Sequence, residues 1–313
     1  MHVILNSLIP IFAVIGLGIV IRRREFLDEA GTLSFNRFAY YFGLPLFLFH
    51  KLSSVAATSG LENWYTITLL LTTVIAMFCG WLVATVGGIK FASRGAFVQA
   101  SLRGNLAFIG LPLVLFLIND LEISQRDSIQ AAVLISLAPV IIFFNIASVG
   151  LLAIYNKDTE SNFSWARVVR NIVSNPILLA CLAGLIAQKV AWQVPPAIDR
   201  TCKIVGDAAF AMALIGIGSQ LATIKIGSQI RLPLGSTVIK CIACPIACWA
   251  IATLIGLGGP ERQVLVILAA MPTAVSSYVL AEQMNSDADL AASSVVVSTA
   301  ASMLTLTALL LVL

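Results

Sequence analysis

Charge is scarce in this chain. Of its 313 residues only 11% are Asp, Glu, Lys or Arg, whereas a soluble domain carries about 25%. An ordinary water-soluble globule is therefore excluded. Histidine is scarcer still: His2 and His50 are the only two, too few and too far apart for a catalytic pairing. The six cysteines lie inside apolar segments, and none is followed by a metal-ligand pattern. Their one cluster, Cys241, Cys244 and Cys248, falls on a single helical stripe with Pro245. It reads as small residues packing against a neighbouring helix rather than as a metal or redox site. No cofactor is implied, and no His, Cys or Asp constellation supports an enzyme. Long hydrophilic stretches are also missing. The longest runs from Asn156 to about Arg170, so no soluble domain fits between the apolar segments. The net charge of +4 is spread over loops and gives no footprint for nucleic acid.

What remains is apolar. Hydrophobic residues make up 59% of the chain and the mean hydropathy is +0.97. About 20 apolar residues cross the hydrocarbon of a bilayer, and on that ruler the sequence predicts an all-α integral membrane protein with about ten spans. They fall at roughly 3–21, 33–52, 65–88, 95–118, 129–155, 171–190, 197–222, 234–257, 262–284 and 288–312. The first apolar run is followed at once by Arg22-Arg23-Arg24, the reverse of a signal peptide, so it is kept as the first span. Arg22, Arg23, Arg24, Lys90, Arg94, Lys157, Arg167, Arg170, Lys225 and Arg231 fall on one side. Lys51, Arg126, Lys189, Arg200 and Arg262 fall on the other. The richer side is expected in the cytosol, which leaves both termini outside a cell inner or plasma membrane.

The mid-chain loop divides the spans five and five. Residues 1–155 are expected to form a first repeat, 156–170 a cytosolic linker, and 171–313 a second repeat inserted upside down. The punctuation supports this. Pro10 and Pro112 in the first half answer Pro176 and Pro272 in the second at similar spacing, with Asn6 and Asn171 or Asn175 before the opening prolines. Ser136 and Ser298 sit in similar helices after the interrupted spans. Such weak, ordered similarity is expected of an inverted repeat.

Two spans are interrupted. Ser101 to Ile118 carries Asn105, Gly110 and Pro112; Leu265 to Glu282 carries Pro272. Proline removes a backbone donor and clashes with the preceding turn. Each could be an ordinary kink, since proline is common in membrane helices. A matched pair in the two halves points instead to a transporter's substrate site. With each proline opening a second half-helix, Leu113 and Val114 on one side and Thr273 and Ala274 on the other are expected to present free N–H groups. Two half-helix N-termini favour an anion without any buried lysine or arginine. Asn105 can donate its amide, and Ser276 and Ser277 can add a hydroxyl. The sequence thus predicts a carboxylate bound between the breaks. With no carboxylate at the crossing, no sodium requirement is expected.

Other polar groups within spans admit two readings. Arg37 can snorkel to the interface; Arg103, deeper, can snorkel or face the cavity. Lys203 and Asp207, at i and i+4, form either a structural pair or, through Asp207, a proton-coupling site. Ala208, Ala209, Ala211, Ala213, Gly216 and Gly218 mark the seventh span as a close-packing face. That face reads as packing scaffold or an oligomer contact, and together with span two it is expected to form a two-fold contact with a second copy.

Three separated motifs carry a resemblance. Asn36-Arg-Phe-Ala-Tyr-Tyr-Phe-Gly-Leu-Pro-Leu-Phe-Leu-Phe-His50, Asn105-x4-Gly110-Leu-Pro-Leu113, and Ala270-Met-Pro-Thr273 running to Ala281-Glu282 and Asp287-x-Asp-Leu-Ala-Ala are similar to the auxin efflux carrier family. That family includes the plant PIN-formed auxin carriers and bacterial carriers of malonate and malate. The chain lacks the long cytosolic loop of many plant members and looks like a bacterial member. The resemblance implies spans four and nine crossing at Pro112 and Pro272. It implies a homodimeric scaffold from spans 1, 2, 6 and 7, and an elevator-like transport domain from spans 3–5 and 8–10. By motif position it puts Asn105 on the substrate carboxylate and, through a looser alignment, Ser53 at a polar scaffold contact. The chain departs from the plant pattern in its third span, where Trp64 to Gly88 has no charged residue in place of an aspartate and a lysine, which argues against auxin itself. The leading expectation is a secondary carrier of small organic anions. The alternative is a sodium-coupled symporter similar to the bile acid carriers.

Overall fold

The structure is a computed structural model that describes residues 2–54, 60–155, 174–224 and 230–313, with side chains from Ser7 onward. Among the described residues every regular element is helical. The expected linker at 156–170, with Lys157, Arg167, Arg170, Asn171 and Lys225, lies outside them. In chain order the helices are α1 (His2–Arg23), α2 (Glu29–Phe38), α3 (Leu44–Ser53), α4 (Leu61–Val86), α5 (Phe91–Leu102), α6 (Leu111–Leu117) and α7 (Ile123–Ile154). Then come α8 (Pro176–Lys189), α9 (Pro196–Thr223), α10 (Arg231–Val238), α11 (Cys244–Leu254), α12 (Gly259–Ala269), α13 (Ser276–Gln283) and α14 (Ala288–Val312). Among the described residues, α4, α7, α9, α14 and the joined Arg231–Leu254 are long and apolar enough to cross a membrane.

Local chemistry explains several boundaries. Asp28 caps α2 by accepting from the Gly31 N–H at 2.7 Å. Asn175 caps α8 through Ile177 and Leu178, and Pro176 takes the first turn, where its missing donor costs nothing. Pro176 therefore starts a helix, whereas Pro10 sits inside α1. The two prolines are not structural counterparts, and that part of the expected internal similarity does not carry into the fold.

Three prolines share a different device. A widened five-residue turn precedes each: Ala39–Gly43 before Pro45, Leu106–Gly110 before Pro112, and Ile239–Ala243 before Pro245. Leu44, Leu111 and Cys244 donate back to Ala39, Leu106 and Ile239. Lengthening the hydrogen-bond ring by one residue shifts the carbonyl register so that the proline ring fits without breaking the helix.

The small residues of α9 are consumed inside the chain. A Cβ on Gly218 would lie 2.0 Å from the Ile15 carbonyl oxygen, and one on Gly18 would lie 2.3 Å from that of Ile215. Gly216 faces Asn36, Gly206 faces Phe47, and Ala209 and Ala213 pack with Ala39. The face expected to be open to a second copy therefore holds α1, α2 and α3, which is why Gly216 and Ala213 are buried.

Contacts between chain segments sort by end. At one end Tyr65 donates to the Glu261 carbonyl, Gln125 to the Glu261 carboxylate, and Gln263 to the Leu313 carbonyl. The His50 Nδ1–Asp199 pair at 2.5 Å ties α3 to α9. Elsewhere Ser93 donates to Asp287 at 2.6 Å and Thr32 meets Ser219 at 2.6 Å. The first set belongs to the segments poor in Lys and Arg, the second to those rich in them.

Candidate functional site

Two helical units are cut where they meet. α5 ends at Leu102, and the chain is extended at Arg103 before helix resumes at Leu106. α12 ends at Ala269, and α13 begins at Ser276. The extended pieces lie antiparallel, Gly104 opposite Thr273. The Asn105 N–H donates to the Pro272 carbonyl at 2.8 Å, and the Ala274 N–H donates to that of Arg103 at 2.9 Å. Thr273 is tied twice more: its hydroxyl donates to the Ala100 carbonyl at 2.8 Å, and its N–H donates to the Ser298 hydroxyl at 3.0 Å. Gly110 eases the close approach, since a Cβ there would sit 3.1 Å from Met271 Cγ and that side chain would have to shift. The unwound backbone is thus buried and hydrogen-bonded, as irregular backbone within a membrane protein must be.

This geometry corrects the expected position of the break. Pro112 does not open the half-helix. Asn105 does, as its cap, accepting from the Phe108 N–H at 3.4 Å. Pro112, Leu113 and Val114 lie buried further along the same helical run. Thr273 and Ala274 present no free N–H groups, because both are used in the crossing. At the two half-helix starts, the N–H groups of Leu106 and Ala107 on one side and Val275 and Ser276 on the other have no acceptor among the described residues, and neither does that of Gly104 in the extended segment. Asn105 is 4% exposed, and its amide nitrogen has no partner among the described residues. The Ser277 hydroxyl is buried and unpartnered, and Ser276 is exposed.

The expected anion site drew on no buried lysine or arginine, and two buried cations lie beside the crossing. Lys240 is 3% exposed, and its Nζ donates to the Ala269 carbonyl oxygen at 2.5 Å. Arg103 is 9% exposed; its Nη2 donates to Asn145 Oδ1 at 2.8 Å, and its Nη1 is buried without a partner. Arg103 therefore faces the interior between α5 and α7 rather than snorkelling. Sequence reasoning passed over Lys240 although the signal was plain, a single lysine within the apolar run of the eighth expected span. Asn145 and Gln99, whose buried amide is unpartnered, carry no such signal. The cysteine stripe serves to seat this span: Cys244 Sγ approaches the Ser101 carbonyl and Cys241 Sγ that of Ser298, both at 3.9 Å.

A cavity of about 820 Å³ reaches the helix behind the crossing at Pro112, and none of Arg103–Asn105 or Pro272–Ala274 lines it. Its walls are α1, α3 and α9 on one flank and α6 with the start of α7 on the other, and Pro112 belongs to its lining. Asp207 lines it too, ion-paired with Lys203 at 2.6 Å and half-exposed. It is not a buried carboxylate. Ser53 is not brought to the crossing; its hydroxyl donates to the His50 carbonyl at the end of α3, and its neighbour Ser54 lines the cavity.

Residues 3–310 match the family described as membrane transport protein. The chain is 23% identical over 290 residues to the "Uncharacterized transporter YfdV" of Escherichia coli, covering 90% of this chain and 88% of the relative. It is 25% identical over 317 residues to the "Putative malonate transporter" of Rhizobium meliloti, covering 98% and 95%. It is 26% identical over 125 residues to the auxin efflux carrier component 3a of rice, Oryza sativa, covering 39% of this chain and 20% of that one.

Proposed function

The chain belongs to the membrane transport protein family, that of the auxin efflux carriers, and from that premise we propose that it is a secondary carrier of a small organic anion, bound where the two broken helices cross. It is a multi-pass membrane protein. The single observation that carries the reading is the crossing. Antiparallel pairing of Arg103–Asn105 with Pro272–Ala274 sets two helix N-termini against it, with the Leu106, Ala107, Val275 and Ser276 N–H groups unused. Each N-terminus carries roughly half a positive charge, so together they match about one carboxylate. Asn105 and Ser277 supply neutral polar contacts, and Gly110, Pro112 and Leu113 shape the half-helix behind them. A relative named for malonate favours a dicarboxylate within that class.

The wider architecture is part of the proposal. Ten crossings in a five-plus-five inverted arrangement fit the way end contacts sort with lysine and arginine. An inner or plasma membrane with both termini outside the cytosol follows from that charge bias. A scaffold of α1, α2, α3, α8 and α9 against a moving body of the other helices fits a cavity lying between those two groups, as elevator-like motion requires. Asp207 is the titratable group proposed for proton coupling. A homodimer is proposed through scaffold surfaces other than the buried face of α9. The test is uptake of malonate, malate and other labelled carboxylates into proteoliposomes, with and without pH and sodium gradients. Accumulation of at least one carboxylate without sodium is expected. Failure across the panel overturns the reading.

A further inference from the structure

The crossing has four helix ends, and their partial charges can be counted. α5 ends at Leu102 and α12 at Ala269, so two C-termini lie beside the unwound segments. Each carries roughly half a negative charge, and the carbonyls that bear it need donors. The Ala100 carbonyl is served by Thr273 and that of Ser101 by Cys244. The Ala269 carbonyl, at the very end of α12, is served by the Lys240 ammonium at 2.5 Å. Among the described residues no carboxylate pairs with Lys240. A buried ammonium without a counter-ion is expensive unless the surrounding dipoles neutralise it. Two C-terminal halves supply about one negative charge, which matches the Lys240 ammonium, while Arg103, the other buried cation, turns its guanidinium away to Asn145 on α7.

The approach is built on both sides. Lys240 lies in the widened turn of the eighth expected span, Ile239–Ala243, which packs against α5 and α14. Gly104, in the extended segment of the other broken helix, leaves room for the lysine tip: a Cβ there would lie 3.0 Å from Lys240 Cε and 3.2 Å from Nζ. The ammonium is therefore held between the end of one broken helix and the unwound backbone of the other.

Half-helix C-termini and unwound carbonyls are the groups with which cation-coupled carriers hold a coupling ion. We infer that the Lys240 ammonium is the resident cation of this crossing, fixed where such a carrier would take sodium from solution. The inference deepens the proposed function and rests on the crossing being the transport site. It assigns the two pairs of helix ends different tasks. The C-termini are neutralised permanently by Lys240, and the N-termini are left for the anion. It also gives sodium independence a structural cause. A cation entering beside Lys240 would meet a like charge and carbonyls whose dipole is already matched.

The test measures thermal unfolding of the purified protein in detergent, in sodium chloride and in choline chloride at equal ionic strength, with no substrate present. Its outcome is therefore independent of which anion, if any, is carried. Wild type is expected to unfold at the same temperature in both salts. Lys240→Met keeps the stem and removes the charge; it is expected to unfold earlier in both. Lys240→Ser opens the space and offers an oxygen; it is expected to regain stability in sodium but not in choline, since a ligand that binds only the folded state raises its unfolding temperature. Stabilisation of wild type by sodium would overturn the inference, as would Lys240→Met as stable as wild type or Lys240→Ser indifferent to the salt. If Lys240→Ser does not fold in either salt, wild type and Lys240→Met still decide it.

Discussion

Replacing Thr273 by valine tests the crossing as a mechanical joint. Thr273 is almost wholly buried, and its hydroxyl donates to the Ala100 carbonyl at 2.8 Å, clipping the end of α5 to the segment between α12 and α13. Valine has nearly the same shape, so no cavity opens. What is lost is one donor, and the Ala100 carbonyl is left near a methyl group in a dry site. An unsatisfied buried acceptor costs about 1–3 kcal/mol. One kcal/mol shifts the unfolding temperature by roughly 2–4 °C for chains of 150–250 residues, so a fall of about 2–8 °C is expected, allowing for the longer chain. Thermal unfolding in detergent, followed by tryptophan fluorescence at a fixed scan rate, reads it. Thr273→Ser keeps the hydroxyl and should fall by less than Thr273→Val. Thr85→Val, where an exposed hydroxyl bonds its own helix at Trp81, should stay within about 0.5 kcal/mol of wild type. If Thr273→Val unfolds like wild type, or Thr273→Ser is the worse of the two, the clip does not hold the helices together.

Asn145→Ala strips Arg103 of its side-chain acceptor and should destabilise by about 1.5–3 kcal/mol, the range for a bond to a charged group, measured by the same unfolding assay. Gly18→Leu should prevent correct folding, because its Cβ would lie 2.3 Å from the Ile215 carbonyl oxygen; size-exclusion profiles of a fluorescent fusion report this as aggregate in place of the wild-type peak. In a background without native cysteines, Glu122→Cys should react with an impermeant thiol reagent added to intact cells, and Lys90→Cys should not. The reverse pattern would invert the orientation drawn from lysine and arginine.

The all-helical character is legible because apolar content over span-length runs sets it, and five of the helices are long and apolar enough to cross a membrane. The interruption at Asn105 was readable because asparagine within an apolar run has a cost that a lipid-facing helix avoids. The sequence places the break seven residues too far along, at Pro112, because proline is the stronger local helix breaker. Pro112 is instead absorbed by the widened turn Leu106–Gly110, and the chain breaks where Asn105 can cap and the Gly104 backbone can pair. The pairing itself is long-range: nothing local to Thr273 announces Ala100 or Ser298 as partners. Lys240 was legible by type but not by place, since its role depends on Ala269 and Gly104 from two other segments. The small residues of α9 were correctly read as a close-packing face. Their partners, Ile15, Asn36 and Phe47, are non-local, so the sequence points to a second copy where the chain itself fills the face.

The most direct test of the anion site is affinity at Asn105. Asn105→Ala removes the amide and also the cap on Phe108. Asn105→Asp keeps a capping oxygen and replaces the donor with a negative charge. The measurement is calorimetric binding, to purified wild type and both variants, of whichever carboxylate the uptake panel identifies, with unfolding temperatures checked alongside. The account predicts that Asn105→Ala weakens binding by about 1.5–3 kcal/mol, roughly ten- to 150-fold. It predicts that Asn105→Asp, still folded, shows no measurable binding. Wild-type affinity in a folded Asn105→Asp would contradict it, because a carboxylate held between the two half-helix N-termini cannot tolerate a second one at the cap of the first.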